Sequence, residues 1–346
     1  MNHPSRNTPV AGSSDPANSG EIDFRDRLKS ILVSEWDGTG NYLSLVETSC
    51  AENQQQTNEV FTEKWDRYSS AEDLEKFYAF QRDWYLSLYG FASAEDLADY
   101  LTGTQVILDA GCGLGYKAAW LAELAPHALV IGMDFSAAAA QAAELFDFEN
   151  LFFIRGDIAH QRLADGSVDY VSCDQVIMHT ENPEATFAEL VRVSEPQHGQ
   201  VACYFYAAKA LPRELLDEHF RTHCKEVSRE EIWQMSEQLT ELGRRLSEID
   251  AQIDVPDIPL LGIEGGRTSV QRFIYWNFIK CFWNENLGWD TSLVTNFDWY
   301  GPSNARRFTE PEIRALAEDN SMSAVFFHSE KAAHSGRFAH TPQTRD

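Results

Sequence analysis

Three glycines at alternate positions follow a short apolar run in the first half of the chain. The stretch VILDAGCGLGYKAAW, residues 106–120, places Gly111, Gly113 and Gly115 between an acid, Asp109, and an alanine-rich helical pattern. Glycine has no Cβ, so a ligand can lie against bare backbone, and glycine adopts positive φ values without strain. This spacing indicates a ligand-binding loop that begins where a strand ends.

Two phosphate-binding motifs fit the loop badly. A dinucleotide fingerprint, G-x-G-x-x-G, would require a third glycine where the chain has Tyr116. A P-loop would require Gly-Lys-Ser or Gly-Lys-Thr, and no such triplet follows Gly115. The ligand on these glycines is therefore not expected to be held by its phosphates.

Short apolar runs alternate with helical patterns after the glycine loop, which predicts a doubly wound, mainly parallel α/β sheet. Ligands of such sheets bind at the carboxyl ends of the strands. The predicted strands are 105–109, 129–133, 151–155, 168–173 and 200–206, and the predicted helices are about 116–125, 137–146 and 184–194. A closing antiparallel pair is expected in SAVFFHSEK and GRFAHTP.

The segment LDAGCGLG resembles the first motif of class I S-adenosylmethionine-dependent methyltransferases. VIGMDFS, RGDI and DYVSCDQVIMHTENPEATFAELVRV follow in that family's order over about 100 residues. KWDRY and NFDWYGPSNARRFT further resemble a bacterial group of methyltransferase-domain proteins with a helical insertion, whose substrates the sequence does not reveal. The resemblance implies a seven-stranded Rossmann-like sheet, S-adenosylmethionine as cofactor and S-adenosylhomocysteine as product.

The resemblance also implies roles for individual residues. Asp134 would accept hydrogen bonds from both ribose hydroxyls, Phe135 would lie against adenine, and Asp157 would accept from the adenine amine. For Asp157, a structural role in its loop is the alternative. The cofactor-binding set implied by the motifs is Asp109, Gly111, Cys112, Gly113, Gly115, Asp134, Phe135, Ser136, Asp157, Ile158, Asp174 and Gln175.

His179 is the candidate catalytic residue because it lies in the loop expected to face the methyl group. With an ordinary pKa near 6.5, a histidine there would serve as general base. The alternative is that His179 only orients the loop. Methyl transfer can then proceed by positioning alone, since the sulfonium is already a reactive electrophile.

About 85 residues separate Tyr206 from the segment TNFDWYGPSNARRFTEPEI, which indicates an insertion in the methyltransferase core. Ser228 and Glu231 form a capping-box pattern, and the apolar seam after them predicts a helix that packs on the domain or forms a dimer interface. The expected division is a disordered tail at 1–20, an N-terminal helical segment at 21–100, a core at 101–207 and 291–346, and a substrate lid at 208–290.

Aromatic residues are dense in the expected lid, which predicts a closed small-molecule pocket, although any single ring could equally belong to the core. The candidate substrate-binding residues are Trp65, Tyr68, Arg272, Tyr275, Trp276, Trp283, Asp298, Trp299 and Tyr300.

Composition narrows the class of partner. The formal net charge of −26 opposes binding to nucleic acid or anionic lipid and slightly favours a neutral or cationic acceptor. The six cysteines form no Cys-x-x-Cys pair, so buried thiols and no metal site are expected. The chain shows neither a run of about 18 apolar residues nor a signal-peptide pattern, which favours a soluble, cytoplasmic protein.

Three functions remain open from the sequence. The leading one is methyl transfer to N, O or C of a small metabolite, in a specialised biosynthetic pathway. The second is a non-catalytic S-adenosylmethionine-binding protein with a regulatory or scaffold role. The third is a different enzyme, a dehydrogenase.

Overall fold

The computed structural model describes residues 23–45, 51–68 and 74–342. Two sequence predictions lie outside these residues: the disordered tail at 1–20 and the buried thiol of Cys50, one of the six cysteines.

A nine-stranded sheet forms the centre of the fold, in the order β1-β2-β5-β4-β3-β6-β7-β11-β10. Strands β2 to β7 are parallel where they pair, and β11 pairs antiparallel with both β7 and β10. A separate hairpin consists of β8 and β9. The strands are β1 (Asp37–Thr39), β2 (Tyr42–Ser44), β3 (Val106–Ala110), β4 (Leu129–Asp134), β5 (Leu151–Arg155), β6 (Tyr170–Cys173), β7 (Gln200–Tyr206), β8 (Gln252–Val255), β9 (Gly266–Ser269), β10 (Met322–Ser329) and β11 (Ala333–His340).

Helices cover the sheet and form a second layer beyond its carboxyl-end edge. The helices are α1 (Phe24–Ile31), α2 (Glu52–Tyr68), α3 (Leu74–Tyr89), α4 (Ala94–Leu101), α5 (Tyr116–Leu124), α6 (Ala138–Leu145), α7 (Pro183–Val193), α8 (Leu211–Cys224), α9 (Arg229–Ser247), α10 (Val270–Asn277), α11 (Gly288–Tyr300) and α12 (Glu310–Asp319). Two short 3-10 helices lie at Ile177–His179 and Pro259–Leu261.

The predicted doubly wound α/β fold is confirmed, because the central strands are buried on both faces. Every residue of β3 and β6 is buried, as are the first five of β4. Parallel strands covered by helices on both sides read as continuous apolar runs, and this pattern made them recognisable in the sequence. The closing antiparallel pair, β10 and β11, also lies where it was predicted.

The strand count differs from the seven strands expected. The short hairpin of β1 and β2 adds two strands at one edge, where Tyr42 pairs with Phe153 of β5. Strands of three residues around a turn that contains Gly40 carry no alternation long enough to be detected as a pattern. The edge of the sheet is thus extended by chain that precedes the methyltransferase motifs.

A second apolar core lies apart from the core of the sheet, and it is built largely from α2, α9 and α11. Trp233 stacks on Phe297 with ring centroids 3.7 Å apart, and Val60 of α2 is fully buried in the same cluster. Ser228 and Glu231 form the predicted capping box at the start of α9. The name "cap" is used below for α8 to α11 with the β8-β9 hairpin, residues 211–300.

The predicted helix with the apolar seam is α9. It ends at Ser247, and strand β8 follows. The seam buries Ile232 and Leu239 within the chain, while Ile249 lies outside the helix and is exposed. The predicted boundary at 290 falls inside α11.

Five cysteines of the described residues are free and buried, which confirms the expectation for them. They are Cys112, Cys173, Cys203, Cys224 and Cys281. Across the described part of the chain, no helix is long and apolar enough to cross a membrane.

Candidate active site

A cavity of about 530 Å³ lies between the carboxyl ends of the central strands and the cap. This volume is within the range of about 300–1,000 Å³ that is usual for small-ligand sites. It brings together most of the predicted site residues: Gly111, Cys112, Asp134, Phe135, Ser136, Asp157, Ile158, Asp174, Gln175, His179, Trp65, Tyr68, Arg272, Tyr275, Trp276, Asp298 and Trp299.

Five predicted site residues do not line this cavity. Asp109 lies in β3, and Gly113 and Gly115 lie in the loop that follows it; none of the three is a lining residue. Trp283 packs against Gly243 of α9 and lies near the Trp289 ring, whereas the Tyr300 hydroxyl donates to Asp217 at 2.9 Å. The rings of Trp283 and Tyr300 therefore support the cap from within.

The glycine loop needs glycine for backbone conformation and for space. Gly111 has a φ of +87°, and a Cβ there would lie 2.4 Å from the side chain of Val176. Gly113 has a φ of +52°, and its Cβ would lie 2.8 Å from the Trp65 ring. At Gly115 the nearest group is Phe153 of the sheet, so this third glycine serves helix packing. The loop thus packs closely on Val176, Trp65 and Phe153 at the carboxyl end of β3.

Asp134 is held rigidly at the end of β4. Its Oδ2 accepts the Gly113 N–H at 2.8 Å, and its Oδ1 accepts the N–H and the hydroxyl of Ser136 at 2.8 and 2.6 Å. A carboxylate has about four acceptor positions, and three are filled here, so about one remains for a donor from a ligand. Asp157 is fixed in a similar way, since its Oδ1 accepts the Ala159 N–H at 2.9 Å.

A buried charge network underlies the loop, and sequence analysis missed its central residue, Lys117. The Lys117 ammonium pairs with the carboxylate of Asp174, which also accepts the Tyr89 hydroxyl at 2.8 Å. Burial opposes the charge on Lys117, but Asp174 and Asp109 outweigh it and raise the pKa of the lysine. A lysine directly before the apolar run AAWLA was the available signal.

Asp109 is the member of this network with unused bonding capacity. The residue is 1% exposed, and its Oδ2 has no hydrogen-bond partner among the described residues. Burial raises the pKa of Asp109 to about 6, against the opposing effect of Lys117. An acceptor oxygen left unpartnered next to the glycine loop suits a ligand with a cationic or N–H donor group.

The loop after β6 closes this side of the cavity. Gln175 adopts a φ of +65°, which is unfavourable for a residue with a side chain, and its Nε2 donates to Gln81 at 2.8 Å. Val176, the next residue, packs on Gly111. The strained turn therefore fixes the width of the floor between β3 and β6.

His179 is buried, with 5% of its surface exposed. Its Nδ1 lies 2.8 Å from the carbonyl oxygen of Asn304, and its ring packs edge-on against Phe61 and Tyr206. Burial lowers the pKa of His179 to about 3. The imidazole is consequently neutral at physiological pH. Its Nδ1–H donates to the carbonyl, which leaves Nε2 as an acceptor.

The cap side of the cavity is aromatic and cationic. Lys64 of α2 pairs with Asp298 at 2.7 Å, and Asp298 retains a second buried oxygen without a partner in the described part of the chain. Sequence analysis did not select four further basic residues that line this side, Lys64, Lys209, Arg213 and Lys280. Lys280, alone among the aromatics of YWNFIKCFW, was the most visible of them.

Comparison with known proteins shows a similarity in the part of the chain that holds the glycine loop. Residues 101–252 match a family described as "Methyltransferase domain". The match covers less than half of the chain and includes Asp134, Asp157 and His179.

Two curated relatives share part of this domain. An uncharacterized methyltransferase of Schizosaccharomyces pombe is 32% identical over 114 residues, which cover 30% of this chain and 41% of that protein. A malonyl-(acyl-carrier protein) O-methyltransferase of Methylovorus is 31% identical over 101 residues, covering 27% and 34%. The matched region thus spans less than half the length of either relative.

Among solved structures, the chain is similar to the 1,6-didemethyltoxoflavin-N1-methyltransferase of Burkholderia thailandensis, which was solved with its substrate and S-adenosylhomocysteine bound. The identity is 12% and the TM-score is 0.41, with 86% of this chain and 94% of that chain covered.

Proposed function

We propose that this protein is a methyltransferase that transfers the methyl group of S-adenosylmethionine to N, O or C of a small molecule. The observation that carries the proposal is one cavity that joins the glycine loop and Asp134 on its floor to aromatic and charged side chains on its roof. A protein that only bound the cofactor would need no enclosed space beside it. The enclosed space beside the cofactor-binding residues therefore favours catalysis over a regulatory or scaffold role.

The residues present fit the cofactor. Asp134 retains about one acceptor position for a ribose hydroxyl, and Gly111 lines the cavity on the same side. Phe135 and Ile158 supply apolar surface for adenine, and Asp157 supplies an acceptor for its amine. Asp109 keeps an unpartnered oxygen but does not line the cavity, so its contact with the cofactor's ammonium stays a prediction from the sequence.

The cofactor supplies an electrophilic methyl group on a sulfonium, so the protein's task is to place a nucleophile in line with it and to exclude water. The aromatic roof, with Trp276 and Trp299, encloses the acceptor. His179 Nε2 is an acceptor for a hydroxyl or N–H of that molecule. A histidine with a pKa of about 3 binds a proton weakly, so His179 acts here as an orienting residue.

The domain division is part of the proposal. Residues 101–207 with the chain beyond α11 would bind the cofactor, while the cap and the N-terminal segment 21–100 would enclose the acceptor. The end of the cap is placed at Tyr300, because α11 crosses the boundary predicted at 290.

Thermal-shift titration and turnover test the function in two steps. S-adenosylmethionine and S-adenosylhomocysteine should stabilise the protein, and NAD should not. Incubation with a fractionated metabolite extract should then produce S-adenosylhomocysteine above the background without extract. Stabilisation by NAD alone would refute the cofactor assignment, and cofactor binding without turnover by any fraction would favour the regulatory alternative.

A further inference from the structure

The basic residues on the roof of the cavity form one connected cluster around the rings of Trp299 and Tyr275. Lys280 Nζ lies 4.8 Å from the centroid of the Trp299 ring, and Lys209 Nζ lies 5.8 Å from it. The guanidinium of Arg272 lies 5.5 Å from the centroid of the Tyr275 ring. At these distances the ring faces attract the cations, which holds them in place without neutralising them.

Two of the carboxylates close to this cluster are paired with a cation. Asp217 pairs with Arg213 at 2.6 Å, and the same carboxylate accepts the Trp299 N–H and the Tyr300 hydroxyl. Asp298 pairs with Lys64 and keeps one oxygen without a partner among the described residues. Glu330, which also lines the cavity, lies 3.5 Å from His328, a side chain that is charged only when it is protonated.

Three cations of the cluster have no carboxylate partner among the described residues. Lys209 Nζ donates to the carbonyls of Ala207 and Ala332 at 2.6 and 2.8 Å. The hydrogen bond of Lys280 Nζ runs to the Tyr275 hydroxyl at 3.3 Å, and Lys280 is 8% exposed. Arg272 has no side-chain ion pair within the described ranges. Positive charges held together in a partly dry space repel one another, so an anion entering it is attracted by all three.

The pKa of Lys209 agrees with this repulsion between neighbouring positive charges. Burial lowers the pKa of Lys209 to about 7. The neighbouring cations Arg213 and Lys280 also lower this pKa, and their effect is larger than the opposite effect of Glu214 and Asp217. An anion beside Lys209 would restore its charge.

We propose that Lys209, Arg272 and Lys280 form an anion-recognition site for the methyl acceptor, which is a small organic anion with an apolar body. The carboxylate or phosphate of that molecule contacts the three cations, and its apolar part lies against Trp276 and Trp299. This inference rests on the proposed methyltransferase function. The net charge of −26 favours a neutral or cationic acceptor at long range, but inside the cavity the nearby charges decide, because those outside are screened by salt.

Binding of matched anionic and neutral probes tests the proposal. Benzoate, phenyl phosphate and benzamide are titrated by calorimetry into the protein saturated with S-adenosylhomocysteine. We expect at least one anion to bind about tenfold more tightly than benzamide, the scale for hydrogen bonds to charged groups. Preference for benzoate assigns a carboxylate, and preference for phenyl phosphate assigns a phosphate.

Three variants and one control connect that binding to the cluster. Lys280→Met, Lys209→Met and Arg272→Met should each weaken the preferred anion about tenfold and leave benzamide unchanged. Arg272 is only half-buried on α10, so its variant guards against a folding defect in the other two. Lys29→Met, on the exposed helix α1, should change neither.

The outcomes separate this proposal from the one before it. Equal binding of benzoate and benzamide, no binding of either anion, or anion binding that all three variants retain would each overturn the anion site. A wild-type protein that fails to bind S-adenosylhomocysteine would overturn the methyltransferase function, whatever the anions do.

Discussion

Replacement of Asp134 by Asn is the sharpest test of the cofactor site. The carboxylate already accepts three protein donors, from Gly113 and Ser136, at 2.6 to 2.8 Å. Asn keeps the shape of the side chain and one acceptor oxygen but loses the charge and half of the acceptor positions. Hydrogen bonds to a charged group contribute about 1.5–3 kcal/mol, so the affinity for S-adenosylhomocysteine should fall about 10- to 150-fold.

A matched control exists at the other end of the same sheet. Asp169 Oδ2 accepts the backbone N–H groups of Gln105 and Val106 at 2.7 and 2.8 Å, just before β3 begins. Asp169→Asn should therefore lower the stability of the protein in the same way as Asp134→Asn, but it should leave ligand binding unchanged. Both variants are compared by calorimetric titration and by their unfolding midpoints.

The comparison has a clear refuting result. If Asp134→Asn and Asp169→Asn lower the unfolding midpoint alike and both bind S-adenosylhomocysteine as the wild type does, Asp134 only anchors the glycine loop. The assignment of the ribose to Asp134 would then be wrong.

Three further predictions concern the floor of the cavity and the cap. Gly111→Ala should lower the free energy of unfolding by about 1–3 kcal/mol, because φ is +87° and the new Cβ would collide with Val176; urea unfolding measures this, and a neutral effect would contradict the geometry. The free energy of unfolding should fall as the pH drops from about 6.5 toward 3, by up to about 1.4 kcal/mol per pH unit. The reason is that His179 binds a proton in the unfolded chain but stays neutral when buried in the folded one. His179→Asn should flatten that slope, and in turnover it should lower kcat without removing an acid limb near pH 6.5; the appearance of such a limb in the wild type, lost in the variant, would restore His179 as general base. Trp233→Ala should cost about 3–5 kcal/mol, because it empties the stack on Phe297, and a loss below about 1 kcal/mol in urea unfolding would show that the cap does not depend on this pair.

The sequence predicted those parts of the fold that local pattern determines. Strands 151–155 and 200–206 have the predicted bounds, since each is a continuous apolar run. The family resemblance selected Asp134 and Asp157, and both line the cavity because parallel strands bring their carboxyl ends to one edge.

The remaining features depend on contacts between distant segments, which periodicity does not encode. In the sequence, Lys117 has no visible partner, because Asp174, with which it pairs, lies 57 residues later. The anion-attracting cluster draws Lys209 from the end of β7 and Lys280 from the chain after α10. Trp283 and Tyr300 were selected as aromatic residues of the lid, and only packing reveals that they face its interior.

Helix α2 ties the two layers of the molecule together. Trp65 lies against Gly113 of the cofactor loop, its neighbour Lys64 pairs with Asp298 of α11, and Glu63 accepts the Trp233 indole N–H at 2.8 Å. The cap is consequently not a module that could be exchanged alone. A chimaera that places residues 211–300 on a methyltransferase core from elsewhere would also have to include residues 52–68. Any redesign of acceptor preference has to change these two segments together.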